Sequence, residues 1–164
     1  MNHNQLRITI DKTVRSLLVV LMSVITLDVL LQVISRYLFR SPLGFTDELA
    51  GYLLIWIGLL GAAYATGERQ HLAIDLISQK FNTTQRKYLE VMISVFIATF
   101  TICVLVVGGC WLVYTSFLFG QVSAAMELPL GCVYLVVPLS GILIVYYLID
   151  NTIIYIKTSD QLTQ

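Results

Sequence analysis

The sequence is poor in charge, poor in histidine and empty of the residue patterns that carry catalysis. Charged residues make up 12% of its 164 positions, against about a quarter in a soluble domain, so it has too little polar surface to wrap a globule of this size in water. Histidine occurs only at His3 and His71, neither within an apolar run. That excludes a haem held by axial histidines from facing helices. His71 has no second His or Cys at ligand spacing, so it reads as an interfacial hydrogen-bonding residue and not as a zinc ligand. Cys103, Cys110 and Cys132 form no C-x-x-C pair, which removes thiol–disulfide chemistry and leaves them as expected small packing residues. Walker loops, G-x-G-x-x-G, H-E-x-x-H and G-x-S-x-G are all missing. Ten Lys and Arg balance ten Asp and Glu, so the electrostatic footprint of a nucleic-acid binder is missing too. No catalytic residue, metal site or cofactor is expected, and the protein reads as a non-enzyme.

What remains is apolar: 57% of the residues are hydrophobic. A helix needs about 20 apolar residues to cross roughly 30 Å of hydrocarbon, and four runs qualify: residues 14–37, 49–66, 91–119 and 128–149. The third is uncharged over 29 residues, about 43 Å of helix, so it must tilt or project from the bilayer. Continuous runs of this kind are helices and not the alternating segments of an outer-membrane barrel. The longest connection, Gly67 to Glu90, is too short for a soluble domain. The fold class expected is therefore all-α and membrane-integral, with residues 1–164 forming a single four-helix membrane domain in contact with lipid.

Arg7, Lys12 and Arg15 ahead of an apolar stretch resemble the start of a signal peptide, but no small-x-small cleavage site follows, and the segment reads as an uncleaved first span. Orientation follows from the basic residues. In a four-helix threading, eight of the ten fall on one side: Arg7, Lys12, Arg15, Arg69, Lys80, Arg86, Lys87 and Lys157. Only Arg36 and Arg40 fall on the other. Both termini are expected in the cytoplasm.

Polar material inside the membrane is concentrated on the first span. Asp28, Gln32 and Arg36, spaced i, i+4, i+8 with Ser35 beside them, form a stripe from mid-membrane to the outer end. An ionisable residue in a span is a functional candidate by default, but the other three spans carry no charge with which to build a relay. Interhelical hydrogen bonding or subunit contact is the favoured reading, with ion handling as the sharper alternative. The second span opens with Asp47 and Glu48 after the turn Ser41-Pro42-Leu43-Gly44. Acids there complement the helix macrodipole, and with Arg36 and Arg40 they also form an outward charged cluster able to meet a partner. Gly58, Gly61, Ala62 and Ala65 allow close approach of another helix.

Between the second and third spans, about residues 72–82 form a short apolar-and-polar helix suited to the cytoplasmic interface. Gly108-Gly109 offers a bend or a close contact in the third span. Pro129 suits the start of the fourth, whereas Pro138 lies inside it and removes the hydrogen bond to the Tyr134 carbonyl, predicting a kink.

Taken in order, Ser35-Arg36-Tyr37, Thr46-Asp47-Glu48-Leu49, Trp56-Ile57-Gly58, Gly61-Ala62 and His71-Leu72-Ala73-Ile74-Asp75 resemble the small permease (Q) subunit of TRAP, or tripartite ATP-independent periplasmic, transporters, the DctQ-like family. Asp28 and Gln70 depart from the pattern. The resemblance implies a bacterial inner-membrane protein working with a large permease (M) subunit and a periplasmic substrate-binding protein (P). The system would import organic acids, such as sialic acid or C4-dicarboxylates, with sodium coupling in the large subunit. It implies that this chain scaffolds the large elevator-type subunit and helps dock the binding protein, with Asp28, Gln32, Arg36, Arg40, Asp47, Glu48, Trp56, Gly58, Gly61, Ala62, His71 and Asp75 as the interface or docking candidates. Two other classes stay open: a small self-sufficient dimeric transporter using Asp28, and a non-transporting membrane assembly protein.

Overall fold

The computed structural model describes residues 3–38, 44–68 and 83–161. The interfacial helix expected at residues 72–82 lies outside them. Four spans are long and apolar enough to cross a membrane: Gln5–Leu38, Gly44–Gly67, Val91–Leu118 and Leu130–Ile153. The first is helix α1 (His3–Leu38) and the second α2 (Gly44–Gly67). The third is built in three pieces, α3 (Thr83–Phe100), a π-helical segment (Thr101–Gly108) and α4 (Gly109–Leu118), and the fourth in two, α5 (Leu130–Tyr134) and α6 (Val136–Gln161). No strand occurs among the described residues.

The spans do not pack in chain order. α1 lies on α2, α2 lies on α6, and α6 lies on the third span. The fourth span is therefore central: 44% of its apolar window is buried, against 6% for the first and third. α1 forms one edge of the row. Ala63, Ile144 and Leu148 make the core, with Ile97, Ala98, Leu105 and Leu143 packed around them.

In lipid there is little hydrophobic force between helices, so packing depends on small residues and on polar ties. Four glycines have that use here. A Cβ on Gly141 would stand 2.9 Å from the Leu105 Cβ, and one on Gly109 would stand 2.9 Å from Val137 and 3.0 Å from Pro138. These two hold the third and fourth spans together across the π segment. Gly131 sits under the Phe117 ring and Gly67 under the Tyr147 ring, where added Cβ atoms would come within 2.6 and 2.8 Å. The cysteines, by contrast, do not pack inside the chain as the sequence led us to expect. Cys103, Cys110 and Cys132 are all exposed on its outer surface, because the close contacts are taken by glycines that need even less room.

The break in the fourth span falls at Leu135, between α5 and α6. Pro138 has no N–H to give to the Tyr134 carbonyl, so the helix turns where that bond is lost. Beside the break, the Trp56 indole N–H donates to the Val133 carbonyl at 3.1 Å, tying α2 to α5. Outward of this, α4 stops on Gly120 at φ +57°. The Gly120 N–H reaches the Phe117 carbonyl at 3.2 Å and the Gln121 N–H the Ser116 carbonyl at 3.0 Å, the paired bonds of a Schellman ending.

At the opposite end, Arg7 joins three helices. Its guanidinium meets Asp150 Oδ2 at 2.5 Å and donates to the Gly67 carbonyl at 2.9 Å and to Asn151 Oδ1 at 3.1 Å. Asn151 in turn donates to the Thr66 carbonyl at 2.8 Å, and the Tyr147 hydroxyl to Asp11 at 2.6 Å. Thr66 and Gly67 are in the last turn of α2, whose carbonyls have no intrahelical donor, and a cation there also favours the helix dipole. Asp150 is 2% exposed. Removing one partner of a buried ion pair costs about 3–5 kcal/mol, whereas replacing both by apolar groups costs far less. Arg7→Ala is therefore expected to lower thermal stability in detergent by several kcal/mol, and Arg7→Met with Asp150→Leu to recover part of that loss. Equal melting of Arg7→Ala and the parent chain would show that the pair contributes nothing.

Candidate functional site

Two surfaces collect the candidate residues: the outer end of the α1–α2 hairpin and the exposed face of α2. In the hairpin, the Gln32 amide donates to Asp47 Oδ1 across the two helices. The Ser35 hydroxyl returns to the Gln32 carbonyl at 2.9 Å. Asp28 is 6% exposed, and its Oδ2 has no hydrogen-bond partner among the described residues. The structure thus brings Asp28, Gln32 and Asp47 to one seam, while Arg36, on the same stripe, is exposed. Arg40, His71 and Asp75 lie outside the described residues.

Glu48 turns inward. Its carboxylate accepts from the Ser123 hydroxyl, from the Ala125 N–H at 3.1 Å and from the Met126 N–H at 3.3 Å. Successive backbone N–H groups converging on one anion make a nest, here formed by the connection between α4 and α5. The same connection closes on itself through the Ser123 N–H to the Leu128 carbonyl at 2.9 Å and the Leu130 N–H to the Gln121 carbonyl at 2.9 Å. Glu127, at φ +53°, occupies a left-handed conformation uncommon for a side-chain-bearing residue. Glu48 is a loop anchor by geometry. Trp56 likewise is spent inside the chain, on the Val133 carbonyl.

The α2 face differs. A Cβ placed on Gly51, Gly58 or Gly61 would meet nothing within 4 Å, and Gly58 and Ala62 are exposed together with Leu54 and Ile55. Glycines at 67, 109, 131 and 141 are demanded by contacts within the chain, and these three are not. The same residue type thus serves internal packing in one set and leaves an unfilled shallow face in the other.

Neither surface offers reaction chemistry. Among the described residues no three His, Cys, Asp or Glu side chains gather as metal ligands, and the side-chain bonds described above each tie one helix or loop to another. Sequence reasoning missed the Arg7 cluster. Arg7 had counted only as a basic residue in the tail and Asp150 lay just past the fourth run. The available signal was the pairing of an uncompensated acid and amide, Asp150-Asn151, with a base at the same membrane level.

Comparison with known proteins agrees with this architecture. Residues 13–157 match the family model described as "Tripartite ATP-independent periplasmic transporters, DctQ component". A protein of Haemophilus influenzae strain Rd, described as a candidate TRAP transporter small permease protein, is 30% identical over 149 residues that cover 88% of each chain. The sialic acid TRAP transporter permease protein SiaT of Haemophilus influenzae strain 86-028NP is 34% identical over 71 residues, 42% of this chain but 12% of SiaT. A helical membrane chain with interhelical ties and no reaction centre, matched over nearly its whole length, belongs to the DctQ family: it is a TRAP transporter small permease subunit, a transport component and not an enzyme.

Proposed function

We propose that this subunit is the membrane-fixed brace of a sodium-coupled, ATP-independent importer of organic acids, holding the large permease subunit while that subunit carries substrate and sodium. The observation that carries the reading is the open glycine face of α2, Gly51, Gly58 and Gly61 with Ala62. A membrane helix gains by burying such a face against another backbone, and no helix of this chain takes it. The large permease subunit is the assigned occupant. In SiaT, the segment similar to this chain is a small part of a much longer permease, which supports a partner of that kind. Transporters that work by alternating access move one body against another, and a rigid row of helices enlarges the stationary one.

The finer assignments follow from the same reading. Eight of ten basic residues on one side put both termini in the cytoplasm of a bacterial inner-membrane protein. The periplasmic substrate-binding protein docks at the outer end, where Arg36 is the exposed charge of the hairpin stripe. Sialic acid is the substrate favoured by the SiaT resemblance, with C4-dicarboxylates as the second choice, and the chain itself holds no cofactor. A self-sufficient dimer built around Asp28 fits less well, since that carboxylate is covered by its own hairpin.

Gly58→Leu with Ala62→Leu is expected to reduce co-purification with the large permease subunit at least about tenfold, given the loss of close helix approach, while the variant alone melts like the parent. Unchanged co-purification removes the α2 face from the interface. In vesicles, sodium-driven uptake should require all three components, and uptake that persists without this subunit refutes the brace. A separate measurement divides the outer charges. Arg36→Glu is expected to slow uptake and flatten its salt dependence, as rim charges steer encounter. Glu48→Ala is expected instead to speed hydrogen exchange at the Ala125 and Met126 amides. The docking assignment fails if Arg36→Glu leaves both uptake and its salt dependence unaltered.

A further inference from the structure

The outer face of α1, turned away from the rest of the row, carries two shallow grooves. One is bounded by Arg15, Val19, Ser23 and Leu27 on one side and by Leu18, Met22 and Thr26 on the other. The second lies between Lys12, Ser16 and Val20 and the pair Thr13 and Leu17. Residues four apart stack into ridges along a helix, and each groove is the space between two such ridges. The walls present carbon despite their hydroxyls. Ser23 donates to the Val19 carbonyl at 2.8 Å, Thr26 to the Met22 carbonyl at 2.7 Å and Thr13 to the Thr9 carbonyl at 2.8 Å.

Each groove opens on a base. Lys12 and Arg15 are exposed, stand at i and i+3 and so face the same side of the helix. Neither makes a hydrogen bond or ion pair among the described residues. The acid nearest in sequence, Asp11, already accepts from Tyr147 and lies 3.9 Å from the Arg7 Nε. From Arg15 to Leu27 the helix rises about 18 Å, slightly more than the ~15 Å half-thickness of the hydrocarbon. A cationic mouth at the membrane boundary, continued by an apolar slot one leaflet deep, matches the anatomy of a phospholipid. A second protein helix fits worse, because Leu18, Val19, Met22 and Leu27 would hold its backbone away, in contrast to the glycines of α2.

We propose that this face of α1 binds one anionic phospholipid, its phosphate held between Lys12 and Arg15 and its two acyl chains lying in the two grooves. The proposal rests on α1 spanning the bilayer and is independent of the transport reading. It is tested on the full purified chain by native mass spectrometry with dioleoylphosphatidylglycerol and dioleoylphosphatidylcholine. The expected result is one phosphatidylglycerol retained per chain, with phosphatidylcholine retained at least about tenfold less, in keeping with two basic residues at the surface. Lys12→Gln with Arg15→Gln should abolish the preference without changing the melting temperature of the delipidated chain. Lys12→Arg with Arg15→Lys, which keeps both charges, should preserve it. Ser16→Trp with Ser23→Trp, which fills the grooves and leaves the charges, should also reduce retention. Equal retention of the two lipids overturns the proposal, as does a preference that survives loss of both bases. Competition by glycerol phosphate at the same concentration as the lipid would assign the site to the headgroup alone and sink the grooves. A disulfide between a cysteine at position 23 and the large permease subunit would put a protein helix there instead.

Discussion

Carbonyls at the end of a membrane helix need donors, and in this chain one guanidinium supplies a donor to α2 while neutralising a buried acid on α6. Arg7 reaches Gly67, Asp150 and Asn151 together, so the start of the first span, the end of the second and the end of the fourth are fixed at one point. The planar fork of arginine is suited to this in a way that the single ammonium of lysine is not. At the far end Glu48 does the complementary work, gathering N–H groups of the loop between α4 and α5. A cation ties carbonyls at one end and an anion ties amides at the other. Between them the spans rely chiefly on small residues and apolar contact, as the scarcity of charge in the sequence required.

The spans and the helical class were legible because hydrocarbon thickness imposes a length and excludes charge, two properties visible in any stretch of sequence. The kink was legible too, since the missing N–H of Pro138 is a local fact. Its consequence landed three residues upstream at Leu135, where the unpaired carbonyls are. Packing order was not legible. Nothing in Gly58 as a residue tells it apart from Gly131, yet Gly131 lies under the Phe117 ring and Gly58 faces open space. The outer acids show the same limit. Asp47 and Glu48 looked equivalent at a helix start, but successive helix positions point about 100° apart, so one meets α1 and the other meets a loop remote in sequence.

This division of small residues gives the subunit two kinds of surface. The glycines of α6 and its neighbours are committed to internal contact and determine the shape of the row. Those of α2 are uncommitted, as are the three cysteines on the lipid-facing side. A scaffold needs both properties at once: a shape that does not depend on its partner and a face that does. The fourth span, buried between α2 and the third span, provides the first. α2, half engaged and half open, provides the second.

The π-helical segment of the third span carries a consequence for how such chains change length over time. A π turn is an α turn with one residue added, held here by the contact of Leu105 and Val106 with Gly141. Deleting a single residue between Thr101 and Gly108 would restore an α-helix and rotate everything after it by about 100°. Gly109 would then swing off Pro138, and Phe117 off Gly131. The bilayer would accept the shorter span without complaint; it is the neighbouring helix that counts the residues.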